Sequence, residues 1–183
     1  MKNCNQTKNQ SVYEHGVSVY KHLNKIINKE WDDIRVPNWL VDYQDQILNN
    51  LHTDKDLKLY TIYHDCGKPY CRVVDEHGDV HFPNHAQISK NTWLQYSDNQ
   101  IVADLIGYDM CLHTETADQI LSHNWDVKTA MSLLLTSLAE VHSNANMFGG
   151  IDTISFKSKW KKINRRGALL CKHYFNNKNK QEK

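Results

Sequence analysis

Glycine and proline are scarce, 7 and 3 among 183 residues. That excludes collagen-like and linker-rich architectures and leaves long stretches free to form helices. No apolar run approaches the roughly 18–20 residues that a bilayer span needs. The opening MKNCNQTKNQ lacks the apolar core of a secretory leader. The expectation is a soluble, cytoplasmic chain with no membrane partner. Cysteine shows no pairing pattern: Cys4, Cys66, Cys71, Cys111 and Cys171 make an odd number without a CxxC. Free thiols in a reducing compartment are the plain reading. What is abundant is histidine, 11 residues. Histidine is the commonest metal ligand and the usual proton carrier near neutral pH.

The length and a hydrophobic share of 40% are enough for one domain with a real core. The net charge of +1 hides an asymmetry. Residues 1–156 hold 12 Lys+Arg and 20 Asp+Glu, a net of −8, whereas residues 157–183 hold 10 bases and Glu182, a net of +9. A basic C-terminal helix can touch phosphates, nucleic acid or an acidic face of its own domain, or it can be a solvated face.

Residues 1–10 are polar and read as a flexible N-terminus, and 176–183 as a disordered basic tail. Between them, 11–175 reads as one all-α domain. Apolar spacing predicts helices over 11–29 and 37–51, with Pro37 an early helix residue. Asp54 is the expected N-cap of a third, 54–65, which stops at Gly67 and Pro69. CRVVDEHGDVHF carries a turn signal between two short β-favouring runs and forms a small hairpin or a loop. Further helices are predicted over 84–96, 99–112, 115–123, 126–146 and 153–175.

Four features hold the chemistry. SVYEHGV sets His15 within the first helix, TIYHDCGKP sets His64 and Asp65 side by side at a helix end, HFPNHAQIS sets His85 on a first turn, and His113 and His142 fall near the ends of later helices. Neutral imidazoles with one carboxylate suit Mn²⁺, Fe²⁺, Zn²⁺ or Ni²⁺ far better than calcium. On the helix over 126–146, His142 lies within roughly 40° of Leu138 and faces the apolar stripe, while Glu140 lies roughly 160° from it, on the outer face. An inward histidine must be satisfied by a hydrogen bond or a metal. His22, seven residues after His15, is a candidate to support the site. His52, His77, His81, His123 and His173 read as surface or loop residues, and the five tryptophans as packing residues.

VYEHGVSV, YHDCGKP with its His-Asp-x-Gly-Lys, DEHGDVHFPNHAQIS and LLLTSLAEVHSNA together resemble the HD-domain superfamily of metal-dependent phosphohydrolases, over about Ser11 to Ala145. The third segment is similar to that of HD domains beside tRNA nucleotidyltransferases and in nucleic-acid end-healing enzymes. The resemblance implies a helical bundle in which His15, His64, Asp65 and His142 hold one divalent transition metal and Asp65 bridges to a second held by His85 and His113. His142 stands where the family carries an aspartate, with Glu140 the fallback ligand and Asn144 a possible helper. Asp65 and Lys68 would be catalytic, with Lys68 against a phosphate oxygen; Arg72 and Lys90 are further substrate-binding candidates. Two cations close together lower the pKa of a shared water and neutralise charge at phosphorus.

Two classes of function follow. One is a phosphohydrolase cleaving a nucleotide or RNA-end phosphoester, a phosphomonoester or a 2′,3′-cyclic phosphate, with a cyclic (oligo)nucleotide left open as substrate. The other is a nucleotide-binding module that has lost hydrolysis through the change at position 142.

Overall fold

The structure, a computed structural model, describes residues 1–7 and 10–176. In chain order its elements are β1 (Asn5–Thr7), β2 (Gln10–Ser11), α1 (Val12–Ile27), α2 (Asn38–Asp42), α3 (Gln44–Leu48), α4 (Asp54–Tyr63), α5 (Lys68–Cys71), β3 (Val73–Val74), β4 (Val80–His81), α6 (His85–Leu94), α7 (Gln100–Tyr108), α8 (Cys111–Thr114), α9 (Ala117–Ser122), α10 (Val127–Met147) and α11 (Ile154–Cys171). A π-helical turn over Lys172–Asn176 follows. The fold is all-α, with strands confined to two small antiparallel pairs among the described residues. Among those residues no helix is long and apolar enough to cross a membrane.

The chain divides into two compact units. The first comprises Met1–Tyr20 and Thr53–Met110; the second comprises Lys21–His52 and the chain from Cys111 onward.

In the first unit, Gly16 lets α1 lie directly on α4: a Cβ there would stand 2.3 Å from the carbonyl oxygen of Ile62. Gly67 does the same for the start of α5 against α6, where a Cβ would meet the backbone nitrogen of Ser89 at 2.4 Å. Val12, Val19, Tyr60, Val102, Leu105 and Ile106 are fully buried in the core. Tyr60 carries its hydroxyl inside because it donates to Asp109 at 2.6 Å. Between α5 and α6 the chain does form a hairpin, β3 with β4, pairing Val73 with His81 and Val74 with Val80.

The N-terminal residues carry a short strand pair. β1 pairs antiparallel with β2, and the carbonyl of Cys4 accepts from Val12 N at 2.8 Å. Polar NQT has no apolar alternation to announce a strand; backbone pairing alone builds it. The tail expected over 177–183 lies outside the described residues.

In the second unit, α10 is buried on nearly every side, from Ala130 to Ala145, as befits a helix apolar around most of its circumference. α11 packs on α10, α2 and α8. Gly167 gives Trp39 its place against α11, since a Cβ would fall 2.2 Å from the indole. The expected helix over 37–51 is two short ones, interrupted at Tyr43, whose φ of −118° leaves the helical range. Helix starts carry side-chain caps: Thr53, Asn99, Thr116 with Gln119 as a capping box, Asp126 and Thr153. The cap of α4 is thus Thr53 rather than Asp54.

Candidate metal centre

The first unit brings four of the expected residues, His15, His64, Lys68 and His85, to the carboxylate of a fifth, Asp65. Asp65 is almost fully buried, in the turn between α4 and α5. Its Oδ2 lies 2.7 Å from Lys68 Nζ, 3.2 Å from His64 Nε2 and 4.0 Å from His15 Nε2. Its Oδ1 faces His85 Nε2 at 3.6 Å and accepts no hydrogen bond. The rings of His15 and His64 meet edge to face at 5.3 Å.

The backbone sets the tautomers. His64 Nδ1 lies 2.8 Å from the carbonyl of Thr61, three residues back on α4, and His85 Nδ1 lies 3.0 Å from the carbonyl of Phe82. A carbonyl only accepts, so each Nδ1 carries the proton. Each ring then turns to Asp65 an Nε2 that carries a lone pair in the neutral imidazole and a second N–H in the imidazolium. A lone pair facing a carboxylate oxygen at 3.2 or 3.6 Å is repulsive unless a proton or a cation stands between them. Protein-held metal ligands show this arrangement, with the far nitrogen fixed by a carbonyl or carboxylate. His85 owes its aim to Asn84, which turns the chain in the left-handed region at φ 53° just before α6; asparagine tolerates that conformation at little cost.

Electrostatics agree with a cation-seeking site. Burial alone would raise the Asp65 pKa, but the charges of His64 and Lys68, the His64 hydrogen bond and His15 hold it well below the ordinary carboxylate value. The carboxylate is therefore ionised. Cys66, next in sequence, points elsewhere. Burial and the nearby Asp65 charge push its thiol up to about 11, and it donates to Ser89 O at 3.3 Å. It stays a neutral thiol bonded to Ser89 and not to the Asp65 carboxylate.

Lys68 lies closer in than expected. Its buried ammonium bonds Asp65 and the Gln6 side chain, the latter at 3.0 Å, leaving one hydrogen for another acceptor. Gln6 was missed because polar N-terminal residues carry no periodic signal. Arg72 is exposed and lines a shallow cleft with Met1, Asn3, Cys4, Asn5 and Pro69. Lys90 pairs with Asp104 at 2.8 Å, an ion pair linking α6 to α7.

The other two expected ligands lie in the second unit. His113 Nε2 is 3.1 Å from Glu140 Oε2, both side chains 16% exposed. Glu140, expected on the outer face of its helix, is thus half-buried and partnered; Asn144 Nδ2 donates weakly to it at 3.5 Å. His142 does face inward, as its helical phase requires, and is 2% exposed. Both of its nitrogens are taken, however: Nδ1 donates to Leu138 O at 2.8 Å, and Nε2 accepts from Arg35 N at 2.9 Å. With its lone pair in that hydrogen bond, His142 would have to give up the bond to Arg35 N to serve as the expected ligand. His22 Nε2 contacts Asn146 Nδ2 at 3.1 Å. Two bases of α11 serve local structure: Lys162 and Arg166 donate to the carbonyls of His113 and Glu115, at the C-terminal end of α8, where cations are favoured. Lys159, Lys161 and Arg165 remain exposed.

Comparison with protein-family models, with curated proteins and with solved structures gives no match to this chain.

Proposed function

We propose that this chain is a metal-dependent phosphohydrolase that cleaves a phosphoester of a nucleotide or an RNA end. The observation that carries the reading is the convergence of His64 and His85, their Nδ1 protons fixed by carbonyls, on the ionised Asp65. Oxygen and imidazole nitrogen suit Mn²⁺, Fe²⁺, Ni²⁺ or Zn²⁺. His15, His64, Asp65 and His85 would hold the metal, which supplies an activated water and a Lewis acid for the phosphoryl oxygen. Lys68, with one hydrogen to spare, orients Asp65 and can meet a phosphate oxygen. Within the second unit, Lys159, Lys161 and Arg165 of α11 are exposed and can meet a polyanion. The likeness of the His-Asp and HFPNH segments to end-healing HD domains directs the choice of a phosphomonoester or 2′,3′-cyclic phosphate.

One observation favours a second reading, a nucleotide-binding module without hydrolysis. Lys68 Nζ already sits 2.7 Å from Asp65, and an ammonium there neutralises the carboxylate without a metal. Elemental analysis joined to a screen of 2′- and 3′-phosphates, cyclic phosphates, cyclic (oligo)nucleotides and deoxynucleoside triphosphates, with added Mn²⁺, separates the two. Hydrolysis by the wild type that is lost in Asp65→Asn supports the enzyme. Tight nucleotide binding by metal-free protein without turnover supports the module.

A further inference from the structure

The second unit carries another donor cluster, of different chemistry. Cys111 Sγ, a carboxylate oxygen of Glu115 and a ring nitrogen of His123 all lie within 4.8 Å of one another. Cys111 and Glu115 are one helical turn apart, joined by the backbone bond from Glu115 N to Cys111 O at 3.0 Å, so their side chains share a face. His123, just past the end of α9, brings Nε2 to 2.7 Å from Glu115 Oε2. Its ring lies flat on Trp125, centroids 4.8 Å apart and planes within 2°, which fixes where its nitrogens point. The backbone on both sides is anchored: Arg166 donates to Glu115 O, and the Tyr174 hydroxyl donates to Trp125 O at 2.5 Å.

A plain ion pair would need only Glu115 and His123. The thiol is what changes the chemistry. Thiolate, imidazole and carboxylate are the three donor types that Zn²⁺ accepts, and sulfur argues against calcium and magnesium. Donors at 2.0–2.3 Å from a tetrahedral ion stand roughly 3.3–3.8 Å apart. The Glu115–His123 contact of 2.7 Å therefore has to open by at least about 0.6 Å. That lies within the freedom of two side chains that are 25% and 26% exposed. The same exposure gives an ion its entry path and leaves a fourth position for water.

We infer that Cys111, Glu115 and His123 form a Zn²⁺-class site, separate from the Asp65 cluster, in which three protein ligands join α8 to the end of α9. The sequence hid it: Cys111 reads as one free thiol among five and His123 as a loop residue, because the ligands meet only once the turn after α9 returns to the end of α8.

Cobalt substitution tests it. The full chain is stripped of metal and titrated with Co²⁺ while the thiolate-to-cobalt charge-transfer absorption is followed. Cobalt held by His15, His64, His85 and Asp65 gives no such band, since no thiolate takes part. The inference requires the band in the wild type, saturating at one thiolate-bound Co²⁺ per chain and displaced by Zn²⁺. It requires loss of the band in Cys111→Ser and at least about tenfold weaker binding in His123→Asn and Glu115→Gln. No band in the wild type, or an unchanged band in Cys111→Ser, overturns it. If Cys111→Ser does not fold by circular dichroism, the other two variants decide: an undiminished affinity in both overturns the site.

Discussion

Asp65 Oδ1 lies 3.6 Å from His85 Nε2, and no hydrogen bond reaches that oxygen. Phe82 O holds the proton of His85 on the other nitrogen. What fills the gap separates a metal centre from an ion-pair cluster. His85→Ala should lower the metal content per chain and the hydrolytic rate together. It should cost the metal-free fold only about 1 kcal/mol, because the residue is half-buried and makes one hydrogen bond to a backbone carbonyl. Elemental analysis beside urea unfolding of stripped protein reads both quantities. Full metal content in the variant means that His85 only pairs with Asp65.

Lys68 and a cation compete for the same oxygen. The ammonium sits 2.7 Å from Asp65 Oδ2, the atom that His64 also faces. Lys68→Ala should therefore keep its metal, with affinity equal to or above that of the wild type, while turnover falls by about 10²-fold or more for want of a cation at the phosphate. Isothermal titration with Mn²⁺ and a kcat measurement check the two halves. A collapse of metal binding would make Lys68 a structural counter-ion alone.

The helix periods and the His-Asp core could be read from the residues, because both depend on local spacing. α1, α4, α6 and α10 fall inside the expected ranges to within a residue or so, and the hairpin forms around Gly78 at φ 83°. What could not be read depends on partners distant in sequence. β1 exists because a backbone edge at Gln10–Ser11 accepts it. His142 has the right phase for a ligand, but Arg35 N, 107 residues away, takes its lone pair. Lys90 looks like a free base until Asp104 is placed beside it. Helical phase fixes which way a side chain points, and tertiary neighbours fix whether its polar atoms are already used.

Gly16 should be as necessary to the site as the ligands. It follows His15 on α1, in a helix interior where glycine costs about 1 kcal/mol relative to alanine. Its value is the close approach to α4, since a Cβ would stand 2.3 Å from Ile62 O and 2.8 Å from Ile62 C, both backbone atoms that cannot swing aside. Gly16→Ala should destabilise the protein by about 1–3 kcal/mol despite better helix propensity. It should also weaken metal binding by moving His15 away from Asp65. An unchanged melting temperature would mean that α1 and α4 are not in contact at this point.

His142 should matter to stability and not to metal. Its Nδ1 donates to Leu138 O and its Nε2 accepts from Arg35 N, so it is a neutral buried imidazole whose hydrogen bonds are complete. Burial lowers its pKa from the ordinary 6.5; the Leu138 hydrogen bond and Asp33 oppose that shift, and His22 adds to it. In the unfolded chain the group takes up a proton as the pH drops through 6.5, whereas in the folded chain it does so only at lower pH. Unfolding is then promoted by protons: the contribution of neutral His142 is complete above 6.5 and is lost as the pH falls from there toward the depressed folded value. His142→Ala should leave the bound metal per chain unchanged. At pH 8 it should cost about 1–3 kcal/mol for the unsatisfied Arg35 N–H, with more for the cavity left between Leu138 and Phe156, whose ring meets that of His142 at 5.2 Å. The gap between wild type and variant should narrow as the pH is lowered below 6.5, because only the wild type carries this titration. Urea unfolding at several pH values and elemental analysis of both proteins measure all three quantities. Loss of one metal ion per chain in His142→Ala would return the residue to the ligand set.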